Sequence, residues 1–314
     1  MKIVITTENA GQRTDLFLKE EVFFNEEITR GEIIRNIKSG KILVNEKNIK
    51  PSYILKENDQ ISAKIEEEKE ELIENKEMEL EIIYQDDDIV VINKPSGMMV
   101  HPTDIEKKNT LVNALIVKFP EINKVNDGSQ DCWMRPGIVH RLDKDTSGAI
   151  VVARNQKTFD ELKRKFADRE MEKNYVALVY GHLQSSSGVI DAPIARSASF
   201  KKQKIARGRM KGVARGAVTE YKLLKKYQDY DLVEAYPKTG RMHQIRVHFS
   251  SIGNPVVGDE KYKRRDLSIP VGVERHFLHA QKLKFELFGK EYDFNAPLPE
   301  DFQSFLNAID PHTK

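Results

Sequence analysis

The 314-residue chain has one cysteine, Cys132, and one tryptophan, Trp133. A single thiol excludes an intramolecular disulfide framework and any multi-cysteine zinc site, and it points to a reducing compartment. No apolar run approaches the ~18 residues that a membrane helix needs. The opening MKIVITTENAGQRTD has no apolar stretch long enough for a secretory leader. Internal repeats at solenoid or propeller spacing are absent, as are low-complexity tracts. A phosphate-binding loop is missing too. Gly253 and Gly258 have its glycine spacing, but Asp259-Glu260 stand where Lys and Ser/Thr are required, so these glycines read as turn residues. The expectation is a cytoplasmic protein with no membrane attachment.

Hydrophobic residues at 39% and charged residues at 32% allow a real core beneath a heavily charged surface. The length suggests roughly two domains at about 150 residues each. A formal charge of +2 conceals an asymmetry: residues 1–65 are near balance, 66–80 (EEEKEELIENKEMEL) carry 8 acids and 2 bases, and the rest is strongly basic. The expected organisation is a small domain over 1–65, an acidic linker over 66–80 and a large domain over 81–314. An acidic run repels nucleic acid, so a polymer bound by the flanks should avoid it.

The first 65 residues read as a small α/β unit. Leu16, Phe17, Val22 and Phe23 suggest one helix. Ile33, Ile34 and Ile37 form the apolar face of a second, with Arg30, Arg35 and Lys38 opposite. In GKILVNEKNIK, Ile42 and Val44 alternate with polar neighbours and Asn45-Glu46 makes a hairpin turn. A helix beside a basic hairpin suits phosphate, or is simply a solvated face.

From residue 81 the pattern is mostly β: EIIYQDDDIVVINKP, GIVHRLD, GAIVVARN, NYVALVYGHL, AVTEYKLLKKY, YDLVEAYP and QKLKFELFG are short and rich in Val, Ile, Tyr and Phe. Helices are expected after the N-cap Thr110, along TFDELKRKFADRE with Phe159, Leu162 and Phe166 on one face, and at PEDFQSFLNAI. The fold class is therefore α+β, a mixed, mainly antiparallel sheet with flanking helices and loops.

The densest chemical cluster is Val139-His140-Arg141-Leu142-Asp143-Lys144-Asp145-Thr146-Ser147-Gly148. It reads as a capping turn, or as a loop presenting Asp143 as nucleophile or base. An aspartic-protease reading fails because no second Asp-Thr-Ser-Gly copy exists. An ionised carboxylate in a pocket wants a cation nearby. Lys238 to His248 (KTGRMHQIRVH) supplies candidates, with Arg241 near the start of a helix opened by the Thr239-Gly240 turn. Ser199 to Arg215 holds seven cations and no acid, suiting a loop that clamps phosphates or a solvated hairpin. His276 and His279 lack a third ligand, so packing outweighs zinc, and no metal is expected.

HRLDKDTSG, then NYVALVYG and TGRMHQIRVH, resemble the RluA/RluD-type RNA pseudouridine synthase family. IVVINKPSGMMVHP, GNPVVGDEKY and RHFLHA resemble further family segments in the expected order, and together they cover roughly residues 82–300. The N-terminal 65 residues resemble, more loosely, the RNA-binding domain named after a small-subunit ribosomal protein. The chain departs at Met242 and Asn254, where the family usually has threonine and histidine.

The resemblance implies isomerisation of specific uridines to pseudouridine in structured RNA, with no cofactor. Asp143 is the essential aspartate, Tyr175 lies against the target base, and Arg241 pairs with the aspartate. The uridine has to be flipped out of its stack, with Arg141, assisted by His140, filling the gap. Other expected RNA contacts are Arg13, Arg30, Arg35 and Lys38 in the small domain and Lys201, Lys202, Lys204, Arg207, Arg209 and Lys211 in the basic loop. Ribosomal RNA of the large subunit is the expected partner, transfer RNA a further one, and the protein a monomer. A catalytically silent ribosome-assembly factor is the alternative. A glycoside hydrolase would need a second acid, for which Asp145 is the sole nearby candidate.

Overall fold

A computed structural model of the chain describes residues 1–23, 28, 30–64, 72–103, 105–129, 132–197, 202–206 and 213–309. It divides into two compact units, Met1–Glu71 and Leu72–Lys314.

The first unit comprises β1 (Lys2–Val4), α1 (Thr14–Phe17) with a π-helical continuation Leu18–Val22, α2 (Arg30–Lys38), β2 (Ile42–Val44) and β3 (Gln60–Ala63). The strands form an antiparallel sheet in the order β1-β3-β2. Ile33 and Ile37 of α2 meet Phe17, Leu18, Ile42, Val44 and Ile61 in one core, as the helical spacing predicts. Asn45 and Glu46 both have positive φ, 51° and 62°, and bring Lys47 back against Val44, so the expected tight turn is present.

The second unit begins inside the acidic run. Leu72 and Leu80 pack on its core, and buried Asn75 donates through Nδ2 to Lys108 O and Asn109 Oδ1. Residues 65–71 of the run lie outside the described residues.

The elements that follow are β4 (Ile82–Gln85), β5 (Ile89–Lys94), α3 (Leu111–Lys118), β6 (Ser147–Ala153), α4 (Gln156–Asp168), β7 (Glu172–Tyr180), β8 (Ser187–Asp191), β9 (Ile194–Arg196), β10 (Gln203–Ile205), β11 (Val218–Lys226), β12 (Tyr230–Pro237), α5 (Gln244–Ser251), β13 (Leu278–Leu287), β14 (Lys290–Asn295) and α6 (Glu300–Ala308). Nine strands make one sheet, β4-β5-β6-β13-β7-β12-β11-β8, with β14 beside β13. All its pairings are antiparallel except β6–β13. This is the mixed, mainly antiparallel α+β fold expected from sequence.

The central strands are buried on both faces. Ile89, Val91, Val151, Phe159 and Leu162 line one side under α4, while Val90, Ile92, Ile150, Val152 and Leu115 line the other under α3. Thr110 caps α3 in a reciprocal box with Asn113, and Asn155 caps α4 by accepting from the Thr158 amide. One expected strand is absent. GIVHRLD makes a single bridge, Ile138 to Val152, and then runs extended without a partner. Its Val and Ile are strand formers, but backbone pairing with β6 stops at that bridge and the His140 side chain takes the Val151 amide instead, so the segment continues as the approach to the site.

Candidate active site

Asp143 lies at the end of that unpaired approach, three residues before Thr146 leads into β6 in the middle of the sheet. Gly148 explains how the loop enters so closely against β13. It has φ 115°, and a Cβ there would sit 2.2 Å from Ala280 O. The loop is fixed on several sides. Thr146 Oγ1 is 2.8 Å from His276 Nε2, and Ser147 Oγ is 2.9 Å from His279 Nδ1. His279 donates from Nε2 to Ala296 O, so its Nδ1 is the acceptor. Burial pushes His276 down to about 3 and His279 to about 4, which keeps both rings neutral. The packing role expected of these histidines is the one they have.

Lys94, wholly buried at the end of β5, donates to Pro95 O, Met98 O and Lys144 O, using all three of its hydrogens to hold the far side of the loop. Arg275 bonds both oxygens of Asp301 in α6 and reaches Asp145 O.

The guanidinium that meets the candidate aspartate is that of Arg246. Its Nη1 donates to Asp143 Oδ2 at 2.8 Å, and its Nε and Nη2 donate to the two oxygens of Asp259 at 2.6 and 2.9 Å. The Arg246 side chain is 5% exposed, Asp259 is fully buried, and Asp143 is 18% exposed. Asp259 is aimed by the turn at Gly258, where φ is 80° and a Cβ would fall 1.9 Å from Arg275 O. Amides of Lys261 and Tyr262 donate to its Oδ1.

Burial works against the Asp143 charge, but protonated His243, the Arg246 guanidinium with its hydrogen bond, and His276 outweigh it, holding the carboxyl below its ordinary value. Both histidines are themselves pushed down by burial, so Arg246 is the cation that persists at neutral pH.

This corrects the pairing expected of Arg241. The helix begins at Gln244, and His243 before it is left-handed at φ 57°, so Arg241 lies in the preceding turn. There its Nε donates to Gly216 O near the surface. A sequence signal for Arg246 existed: it stands between Ile245 and Val247 in the same motif, and an arginine that is buried has to be paired. Gln244 and His248 of the same motif fasten α5 to β11 through Thr219.

Tyr175 sits on β7 between two core clusters, and its phenol is pushed up first by burial and then by the charge of Asp143. The hydroxyl therefore keeps its proton at neutral pH, which favours its ring face over a ready-made phenolate.

Arg141 is exposed beside Asp143. His140 is turned to the loop's support instead: its Nε2 accepts the Val151 amide and its ring stacks on Phe166 at 4.6 Å. Burial lowers it to about 3, in keeping with an acceptor.

Lys202 and Lys204 are exposed at the β9–β10 hairpin, whereas Lys201, Arg207, Arg209 and Lys211 lie outside the described residues. In the first unit Arg13, Arg30, Arg35 and Lys38 are all exposed. Of the two departures noted in sequence, Met242 is exposed, and Asn254 is buried and donates to Tyr180 O and His182 O. Among the described residues no group of three His, Cys, Asp or Glu side chains is arranged to hold a metal ion, and no helix is long and apolar enough to cross a membrane.

The arrangement is thus an ionised, largely buried carboxylate held by a buried arginine, its charge felt by the Tyr175 phenol, on a loop clamped from three sides. Comparison with known proteins agrees on its class. Residues 88–251 match the model of the RNA pseudouridylate synthase family, and residues 27–61 match the S4 domain. An uncharacterized RNA pseudouridine synthase of Bacillus subtilis (strain 168) is 35% identical over 98% of this chain and 97% of its own length. The ribosomal large subunit pseudouridine synthase D of Zymomonas mobilis is 40% identical over 75% of this chain and 74% of its own. Among solved structures, human RNA pseudouridylate synthase domain containing 4 superposes with a TM-score of 0.60 at 28% identity, covering 73% of this chain and 92% of that one. The chain belongs to the RluA-type RNA pseudouridine synthases and carries an N-terminal S4 RNA-binding domain.

Proposed function

We propose that this enzyme isomerises uridines of structured large-subunit ribosomal RNA, with Asp143 as its essential carboxylate. The observation that carries the reading is the ionised Asp143 bonded to buried Arg246, with the Tyr175 phenol within reach of its charge. In the reaction the bond from C1′ to the uracil N1 breaks, the base turns, and C1′ rejoins at C5. The C5 proton leaves and N1 gains one, so the product is an isomer and no redox partner or energy source enters. Tyr175 stacks on the uracil. A uridine within a helix reaches Asp143 only when flipped out, at a cost of a few kcal/mol, and Arg141 fills the gap it leaves. Arg13, Arg30, Arg35 and Lys38, with the basic segment 201–215, bind phosphates. The choice of ribosomal RNA rests on relatives named for the large subunit. Transfer RNA is a second substrate class, the protein acts as a cytoplasmic monomer, and Arg241 contributes at the cleft edge. A silent assembly factor is disfavoured because the carboxylate, the aromatic ring and the paired arginine are all retained.

The test is to map pseudouridines in ribosomal and transfer RNA from cells with the wild-type gene, without it, and with D143N. Loss of the same large-subunit positions in the last two supports the reading. D143N should bind the transcript within a few-fold of wild type, and normal product from it would overturn the assignment.

A further inference from the structure

His243 stands one residue before α5 with φ 57° and ψ 19°, a left-handed conformation that non-glycine residues seldom adopt. Strained positions of this kind persist where the surroundings force them, often to aim a side chain. Here the ring is held on two sides. Its Nδ1 lies 2.7 Å from Tyr262 Oη, with the rings edge to face at 5.6 Å, and its Nε2 lies 3.9 Å from Asp143 Oδ2. At 10% exposure the side chain is a wall of the cleft.

The direction of the Tyr262 hydrogen decides what His243 presents to Asp143. At the start of β10, the Gln203 amide donates to Tyr262 Oη at 2.8 Å. An N–H group can only donate, so the phenol oxygen accepts there, and its own hydrogen is free to turn to Nδ1, its other polar partner among the described residues. Nδ1 is then the bare nitrogen, and the one ring proton of the neutral imidazole sits on Nε2, toward Asp143. Burial lowers His243 from its ordinary value and pushes Tyr262 up to about 12, which keeps both groups in these forms at neutral pH.

We infer that His243 is a positioning residue for Asp143: its Nε2–H, aimed by Tyr262 and the backbone of β10, is a second donor to the carboxylate beside Arg246. At 3.9 Å the contact is too long for a hydrogen bond, and such contacts commonly tighten once substrate fills a site. The same chain of contacts joins β10, which lies within the basic segment 199–215, to the carboxylate. The inference rests on Asp143 being the essential group.

Two measurements test it. In the free enzyme, nitrogen-resolved NMR of the imidazoles, with His243 assigned by its loss in H243Q, should show a protonated Nε2 and a bare Nδ1. In Y262F the preference should weaken. On a large-subunit ribosomal RNA transcript, H243A should lower kcat by about 10²-fold, the usual cost of a misplaced reacting group, with KM little changed. H243Q, whose side-chain amide offers a donor at similar reach, should restore most of the rate. A proton on Nδ1, a Y262F ring like wild type, or an H243Q no faster than H243A would overturn the inference. Should H243A fail to fold, the wild-type tautomer still decides. A wild-type enzyme that forms no pseudouridine on the transcript would instead overturn the proposed function and leave the tautomer result standing.

Discussion

The two units use the same ion pair in opposite senses. In the S4 unit one buried acid, Asp15, sits between two arginines, taking two bonds from Arg13 and two from Arg30. Its side chain is fully buried, while Arg13 and Arg30 remain 43% and 49% exposed. In the catalytic unit one buried base, Arg246, sits between two acids, Asp143 and Asp259. Formal charge is therefore +1 at the first cluster and −1 at the second. The first leaves both guanidiniums nearly half exposed, where the proposed function puts phosphates. The second leaves an ionised carboxylate 18% exposed, the group that the proposed function assigns to a flipped nucleotide. Burial of the central residue fixes geometry in both, and the sign of the outer pair separates binding from chemistry.

The largest effect should come from removing the central arginine. R246M leaves Asp259 buried without its cation and should destabilise the catalytic unit by about 3–5 kcal/mol in denaturant titration, with turnover lost. R246M/D259N removes the stranded charge and should recover much of that stability while staying inactive, because Asp143 still lacks its cation. R241A, by contrast, removes a surface contact and should shift stability by no more than about 0.5 kcal/mol. Equal losses from R246M and R241A would dissolve the distinction between the two arginines.

Acid should separate the units next. Residues 1–71 contain no histidine, whereas the catalytic unit buries His101 and His276 at about 3 and His279 at about 4. These rings are neutral when folded and titrate near 6.5 when unfolded, so the unfolded state takes up protons first as pH falls. Each then withdraws up to about 1.4 kcal/mol per pH unit between about 6.5 and its folded value. Asp15 behaves differently. Burial raises its carboxyl, but the Arg13 and Arg30 bonds outweigh this and hold it below the ordinary value. Its contribution is present above about 3.9 and is lost only as pH drops through the lower folded value. Amide exchange followed by residue should show catalytic-unit protection falling from pH 6.5 to 4.5 while the S4 core stays protected. Simultaneous loss in both units would contradict the assignment of neutral histidines.

The same contrast marks what sequence could reveal. Local rules sufficed where a side chain answers to its neighbours in the chain: the Asn45-Glu46 turn, the Thr110 cap, the face of Phe159, Leu162 and Phe166, and the period-two strands. They failed where a residue's partner is distant. The strand expected at GIVHRLD stops at one bridge to β6, because the His140 ring rather than a backbone carbonyl takes the Val151 amide. Arg241 looked like the partner of Asp143 because Thr239-Gly240 resembles a helix start, and the left-handed His243 that delays the helix to Gln244 leaves no mark in residue spacing. In sequence Asp259 is legible only as a residue that excludes a phosphate-binding loop. Its bond to Arg246 exists only because the segment after Gly253 folds back over α5. His276 and His279 were legible by subtraction: with no third ligand they had to be packed, and they are.

The smallest effect concerns the S4 cluster, and it discriminates between charge and geometry. R13A and R30A should each reduce the slope of log affinity against log salt by about 1, with kcat unchanged on saturating transcript. D15N is the sharper variant. It keeps both arginines and removes one negative charge, so a purely electrostatic surface would bind RNA more tightly. It also replaces one acceptor oxygen by an N–H group facing a guanidinium, which releases the fixed arrangement seen around Asp15. If orientation is what the cluster supplies, D15N binds RNA a few-fold more weakly despite its extra positive charge, as measured by filter binding across a salt series. A tighter complex would mean that Arg13 and Arg30 act as diffuse charge and that the buried carboxylate only subtracts from it.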